Sequence, residues 1–164
     1  MAQQSNSRVG RSYLLVVTFT MLILPLLSIL IESRAGKEQL SLLALLTKWF
    51  VFWGVGIRLL TSGISQISNP SFTAQSIFHI RDTESFKIVR ELGFANFCLG
   101  AVGIASLFMT GWRLPAAFSG GLFFGIAGVN HIIKKPESPN EVVALVSDIF
   151  IFIVLLAVFL LNFR

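Results

Sequence analysis

The sequence predicts an all-α protein, a polytopic bundle of about five transmembrane helices. Hydrophobic residues make up 54% of the 164 residues and charged residues only 13%, about half of the roughly 25% that is typical of soluble domains. The mean hydropathy is +0.79. A soluble fold of this composition would expose large apolar patches, whereas a bilayer solvates them. We therefore expect an integral membrane protein, with the lipid bilayer as its first partner, rather than a soluble enzyme.

The first predicted helix covers about residues 13–31 and follows a polar, basic N-terminal segment. The apolar run is long enough to cross about 30 Å of hydrocarbon at about 1.5 Å per residue. A cleaved signal peptide is the alternative, but the run is too long, and Glu32-Ser33-Arg34 follows it without a small-residue cleavage motif. We expect an uncleaved helix that is kinked at Pro25. Whether it joins the bundle or lies beside it is open.

Four further apolar runs complete a single integral membrane domain over residues 1–164. A polar, turn-rich segment at residues 65–87 interrupts them, and we expect it to be a loop with a short amphipathic helix at about 72–80. The last three runs are joined by short connections, which predicts antiparallel neighbours. The four predicted spans are 40–64, 88–109, 114–133 and 142–163.

The basic residues of the connections predict the orientation, because cytoplasmic segments of membrane proteins are enriched in Lys and Arg. With the N-terminus in the cytoplasm, the inside segments hold seven basic residues and the outside segments four. We expect a multi-pass protein of a bacterial inner membrane with a periplasmic C-terminus. The basic residues form no patch, so nucleic acid is not an expected partner. The inside set is Arg8, Arg11, Arg81, Lys87, Arg90, Lys134 and Lys135, and the outside set is Arg34, Lys37, Arg113 and Arg164.

Polar side chains inside the predicted spans are the candidate functional residues, because a charge within hydrocarbon costs a few kcal/mol or more. In this orientation, at about 1.5 Å per residue, they all fall in the cytoplasmic third of the bilayer. Four helices would therefore contribute to one polar layer. Its members are Arg58, Glu91, Asn96, Asn130, His131 and Asp148.

This polar layer has a functional and a structural interpretation. In the first, it binds a small ligand or a partner protein, with Glu91, Asp148 and His131 as titratable groups. Arg58 would be the counter-ion and Asn96 a hydrogen-bonding group. In the second, the charges pair with one another, and the layer only holds the helices together.

Glycines at helical spacing form two stripes, one on the predicted third helix and one on the fourth. Such stripes let helix backbones approach closely, so we expect the third helix to pack against the fourth. A homodimer interface or a groove for a flat ligand is the alternative. The stripes contain Gly100 and Gly103, and Gly121, Gly125 and Gly128.

No catalytic residues are predicted. His79 and His131 are the only histidines and Cys98 is the only cysteine, and their spacing matches no metal-binding or disulfide pattern. The sequence also lacks a Ser-His-Asp order, a phosphate-binding loop and a dinucleotide motif. The expectation is a protein that is not an enzyme and has no metal site.

From about residue 74 to the C-terminus, the chain resembles a family of uncharacterised small bacterial membrane proteins. The resemblance rests on Glu91-Leu92-Gly93-Phe94-Ala95-Asn96, Gly100-x-x-Gly103, Gly125-x-x-Gly128-x-x-His131, Asn140 and Asp148. More broadly it is similar to the DoxX-like group of four-helix membrane proteins, some of which are linked to quinone-coupled redox chemistry. Asn130 stands where that family has glycine before the histidine, and its Gly-Trp after Ile77 is missing. The resemblance implies a membrane bundle but no activity.

Three functions follow as alternatives. The first is a membrane protein that binds a small ligand or partner at the polar layer, with no cofactor. The second is an accessory subunit of a redox system that binds quinone, with His131 or Arg58 donating to the quinone carbonyl. The third is a small proton- or ion-linked transporter. It would need a dimer, because five helices enclose little pore, and no repeat of broken helices supports it.

Overall fold

In the computed structural model, residues 10–35 and 40–163 are described, and they form helices without any strand. Five of these helices are long and apolar enough to cross a membrane, which confirms the predicted all-α bundle. They are α1 (Arg11–Ala35), α2 (Leu42–Ser68), α4 (Ser85–Ala105), α5 (Thr110–Lys134) and α6 (Pro139–Leu161). Between α2 and α4 lies a short helix α3, formed by Pro70–Phe72 and the π-helical turn Thr73–Ile77. Of the basic residues that predict the orientation, Arg8, Lys37 and Arg164 lie outside the described residues.

Local sequence signals explain where several helices begin. The Ser41 hydroxyl accepts a hydrogen bond from the Ala44 N–H at 3.2 Å and caps α2. Ser138 caps α6 in the same way through the Glu141 N–H, at 3.3 Å. A serine at this position satisfies an N–H group that the first helical turn leaves unpaired. Pro139 follows at the first helical position of α6, where its missing N–H costs nothing.

Two π-helical turns interrupt the long helices α1 and α2. The turn Phe19–Ile23 in α1 comes just before Pro25, at the place where a kink is expected. Proline lacks an N–H and collides with the carbonyl four residues earlier, and a π-helical turn relieves such a conflict. In α2 the turn Val51–Ile57 ends directly before Arg58. Because a π-helical turn holds an extra residue, it changes the face of the helix on which the following residues lie.

The apolar core shows that α1 belongs to the bundle, which answers the question that the sequence leaves open. Val17 and Met21 of α1 are buried against Val55 of α2 and Ile151 of α6 in one cluster. The beginning of α1 is also tied to α6, because the Gly10 N–H donates to Asn140 Oδ1 at 3.0 Å. The first helix is therefore the fifth member of the bundle.

The glycine stripes pack helices together within the chain, but the predicted pairing of the third helix with the fourth is wrong. A Cβ on Gly100 would lie 2.7 Å from Leu60 Cα, and one on Gly103 would lie 2.5 Å from Gly56 N. The α4 stripe therefore faces α2. A second, complementary stripe on α2 that the prediction overlooked, with Gly56 and Gly63, makes this close approach possible.

The glycines of α5 face α6 instead of α4. A Cβ on Gly125 would meet the Phe152 ring at 2.8 Å, and one on Gly128 would meet Ile149 Cδ1 at 2.6 Å. Gly121 has more room, since its nearest neighbour would be Leu155 Cβ at 3.5 Å. The bundle thus contains two closely packed pairs, α2 with α4 and α5 with α6.

Candidate functional site

A cavity of about 860 Å³ lies between the α2–α4 pair and the α5–α6 pair, at the end of the bundle that carries α3. Residues of all six helices line it. The volume is in the range of about 300–1,000 Å³ in which proteins bind small molecules. Five of the six residues of the predicted polar layer lie on its wall: Arg58, Asn96, Asn130, His131 and Asp148.

Glu91 is the exception, and its predicted place in the layer is wrong. Its side chain is exposed on the outside of α4 and lines no part of the cavity. Glu91 and Asn96 are five residues apart, which places them roughly 140° apart around a helix of about 3.6 residues per turn. With Asn96 facing the cavity, Glu91 has to face away from it.

Arg58 lies on the cavity wall. Its Nη1 donates to the Ser62 hydroxyl one turn later, and its Cζ lies 5.7 Å from the centre of the Tyr13 ring. Its Nε is buried and has no hydrogen-bond partner within residues 10–35 and 40–163. Among the described residues, none of the ion pairs within 4.0 Å involves Arg58. The pairing of Arg58 with Glu91 or Asp148, which the structural interpretation requires, is therefore not formed.

Asp148 and His131 face each other across the α5–α6 pair. His131 Nε2 lies 3.9 Å from Asp148 Oδ2, which is too long for a hydrogen bond. Asp148 is only 8% exposed. Both residues line the same cavity as Arg58, so acid, base and cation share one space.

Asn96 and Gln66 form the hydrogen bond that joins α4 to α2 inside the cavity. Asn96 Nδ2 donates to Gln66 Oε1 at 2.8 Å, and the bond is buried. Asn96 Oδ1 is buried too and has no partner among the described residues. A buried carbonyl oxygen of this kind is an acceptor that a bound molecule would satisfy.

Sequence reasoning missed several cavity residues, among them Gln66 and Tyr13. Gln66 lies beyond the predicted end of the second span, and Tyr13 is the first residue of the first span. A signal for Gln66 was present, because Arg58, Ser62, Ser65 and Gln66 are spaced as one helical face. Continuing α2 along this polar face would have placed Gln66 in the layer.

The short helix α3 covers the end of the cavity, near the place where the amphipathic segment is predicted. Its Phe72 ring lies 6.3 Å from the Tyr13 ring, and Phe72, Ile77 and Phe78 line the cavity. The next residue, His79, has its Nε2 2.5 Å from Glu141 Oε1. This contact joins the end of α3 to the beginning of α6.

A second polar group lies at the opposite end of the bundle. Glu32 of α1 accepts hydrogen bonds from Lys48 Nζ and from Trp49 Nε1 of α2, both at 2.6 Å. The longer α1 carries Glu32 to these partners. The described residues contain no group of three or more His, Cys, Asp or Glu that could hold a metal ion.

Comparison with known proteins shows the family of the chain. No curated protein and no solved structure matches it. A family model described as a family of unknown function, DUF6790, matches residues 15–164. This match covers almost the whole chain, including every cavity residue from Val16 onward. The chain therefore belongs to the DUF6790 family, as the resemblance to an uncharacterised family predicts.

Proposed function

We propose that the protein binds a small amphiphilic molecule in this cavity, with the polar head group at Arg58 and Asn96. The observation that carries the proposal is the buried Arg58 Nε, which has no hydrogen-bond partner in the part of the chain that the structure describes. A buried donor on a charged group that lacks an acceptor costs several kcal/mol in order of magnitude. A ligand oxygen placed beside Arg58 would remove this cost.

The other walls of the cavity suit the remainder of such a molecule. Tyr13, Phe123 and Phe124 offer aromatic surface, and Leu59 and Ala144 offer aliphatic surface. Sites that bind small molecules combine a mostly apolar wall with a few polar groups that fix the orientation of the ligand. This arrangement favours binding over catalysis.

A specific observation also supports a quinone as the ligand. Aromatic rings lie beside the Arg58 donor, and His131 lies on the same wall, so a ring carbonyl could accept a hydrogen bond there. In this second candidate function, the protein would be an accessory subunit of a membrane redox system. The broader similarity to the DoxX-like group agrees with this candidate.

The proposed location is a bacterial inner membrane, with the N-terminus and α3 on the cytoplasmic side. The excess of basic residues near the α3 end supports this orientation. The cavity would then face the cytoplasmic leaflet.

The test is native mass spectrometry of the protein released from its membrane in a mild detergent. We expect a bound molecule of constant mass on the wild-type protein and on Arg90→Gln, since Arg90 is exposed on α4. Arg58→Gln should lose it, because a hydrogen bond to a charged group is worth about 1.5–3 kcal/mol, or roughly 10- to 100-fold in affinity.

The released molecule also separates the two candidate functions. An ultraviolet absorption that changes on chemical reduction identifies a quinone. Wild-type protein that carries no small molecule, or an equal amount on Arg58→Gln, would contradict the proposal.

A further inference from the structure

We infer that the ligand is a single-chain amphiphile with an anionic head group, and that it reaches the cavity sideways from the bilayer, between α4 and α5. The inference rests on the proposed function and names the class of ligand and its route. The proposed route lies at the boundary between the two closely packed helix pairs.

The helices α4 and α5 are joined at one end and open at the other. Where the short connection links them, Arg113 Nε donates to the Ser106 carbonyl oxygen at 3.3 Å. Away from this connection, α4 lies mainly against α2, and α5 lies mainly against α6. The two helices therefore make few direct contacts with each other, and the cavity lies between them towards the end of the bundle that carries α3.

Ile126 of α5 marks the opening. It lines the cavity, yet 69% of the residue is exposed. Leu92 of α4, which is half-buried, lines the same cavity from the other helix. Because Ile126 lines the cavity and is also exposed, the cavity opens to the outside of the bundle at this point.

Apolar side chains flank the opening at Ile126. Phe123 and Ala127 stand beside Ile126 on the cavity wall, and Asn130 follows one turn later as an exposed polar residue of the same lining. On the outer faces of the two helices, Phe94 is 44% exposed and Val129 is 50% exposed. In a membrane, such apolar surface lies in hydrocarbon. An acyl chain dissolved in the bilayer would therefore meet apolar side chains where it enters the cavity.

The charges on the cavity wall favour an anionic head group. Two arginines, Arg11 and Arg58, line the cavity, against one carboxylate, Asp148, among the described residues of its wall. The wall thus carries an excess of positive charge. The volume of about 860 Å³ suits one small molecule and not a phospholipid with two acyl chains.

The experiment uses the full chain in phosphatidylcholine liposomes that contain a photoreactive palmitic acid with a diazirine in its chain. We expect light-dependent labelling of peptides from α4 and α5. Ile126→Trp should lower the labelling rate because the larger ring narrows the opening. Val129→Trp on the same helix, which lies outside the cavity, should label at the wild-type rate.

A second variant and a competition test the route and the charge independently. Leu92 lies on the other side of the opening, so Leu92→Trp should lower the labelling rate as Ile126→Trp does. Ala95→Trp is the matched control on α4, because Ala95 is exposed, and it should label at the wild-type rate. Excess palmitate should suppress labelling, whereas neutral hexadecanol should not. If hexadecanol competes equally well, the anionic head group is wrong.

Failure of this inference can be told apart from failure of the proposed function. If both opening variants label at the wild-type rate while Arg58→Gln still loses the co-purified molecule, the cavity binds a ligand but the sideways route is wrong. If palmitic acid labels no cavity peptide although the protein co-purifies with another molecule, the proposed class of ligand is wrong.

Discussion

Asn96 of α4 and Gln66 of α2 form a buried hydrogen bond between the two helices. Both partners are buried, and they belong to different helices. Loss of either side chain leaves the other with an unsatisfied buried group. The bond should therefore contribute to stability as well as to the shape of the cavity.

This contribution can be measured with a double-mutant cycle of Asn96→Ala and Gln66→Ala. We expect each single variant to unfold at a lower temperature in detergent. The double variant should be less destabilised than the sum of the two, by a coupling of about 0.6–1.5 kcal/mol. Additive effects would show that the two side chains do not interact.

The sequence predicts the level of each polar side chain along the bundle but not the direction in which it points. The level follows from the distance along a helix, and Arg58, Asn96 and Asp148 line one cavity. Direction depends on which face of the helix meets the bundle. Glu91 lies on the outer face of α4, and nothing local in the sequence distinguishes it from Asn96.

The glycine stripes determine which pairs of helices pack most closely. The α2–α4 contact is made backbone to backbone, because Gly56 and Gly63 face Gly93, Gly100 and Gly103. A stripe on one helix predicts a close neighbour but not its identity. Here the partner of α4 is identified only by the complementary stripe on α2.

A matched pair of alanine substitutions tests this arrangement. Gly100→Ala should destabilise the protein by about 1–3 kcal/mol, because its Cβ would collide with the backbone of Leu60. Gly121→Ala is the control, since its Cβ would make an ordinary contact at 3.5 Å. It should be neutral or stabilise α5 by up to about 1 kcal/mol. Thermal unfolding in detergent measures both, and equal effects would contradict the α2–α4 pairing.

At the scale of the whole molecule, length and hydropathy suffice to predict five membrane-compatible helices. Hydrocarbon thickness sets the minimum length of a span, so an apolar run of sufficient length identifies it directly. The order of the helices around the bundle is not predictable in this way, because lipid-facing and buried faces are almost equally apolar. The end of α1 is not predictable from hydropathy either. The predicted span stops at residue 31 because Glu32 is polar, whereas α1 continues to Ala35 and Glu32 has partners on α2.

The orientation in the membrane can be tested with single cysteines in a Cys98→Ser background. Thr83→Cys lies between α3 and α4, and Gly111→Cys lies in the first turn of α5, at the other end of the bundle. In spheroplasts, a membrane-impermeant maleimide should label Gly111→Cys at once and Thr83→Cys only after lysis. The reverse pattern would overturn the orientation, and labelling of both from one side would contradict the arrangement of the spans.

The boundary between the two glycine-joined helix pairs has a consequence for the response to the physical state of the membrane. The α2–α4 pair is held backbone to backbone, and the α5–α6 pair is held by glycines packed against Phe152 and Ile149, so we expect each pair to move as a unit. A change in bilayer thickness or lateral tension would therefore mainly shift the α2–α4 pair relative to the α5–α6 pair. Because residues of both pairs also form the wall of the cavity, we expect such a change to alter the volume of the space in which a ligand is held.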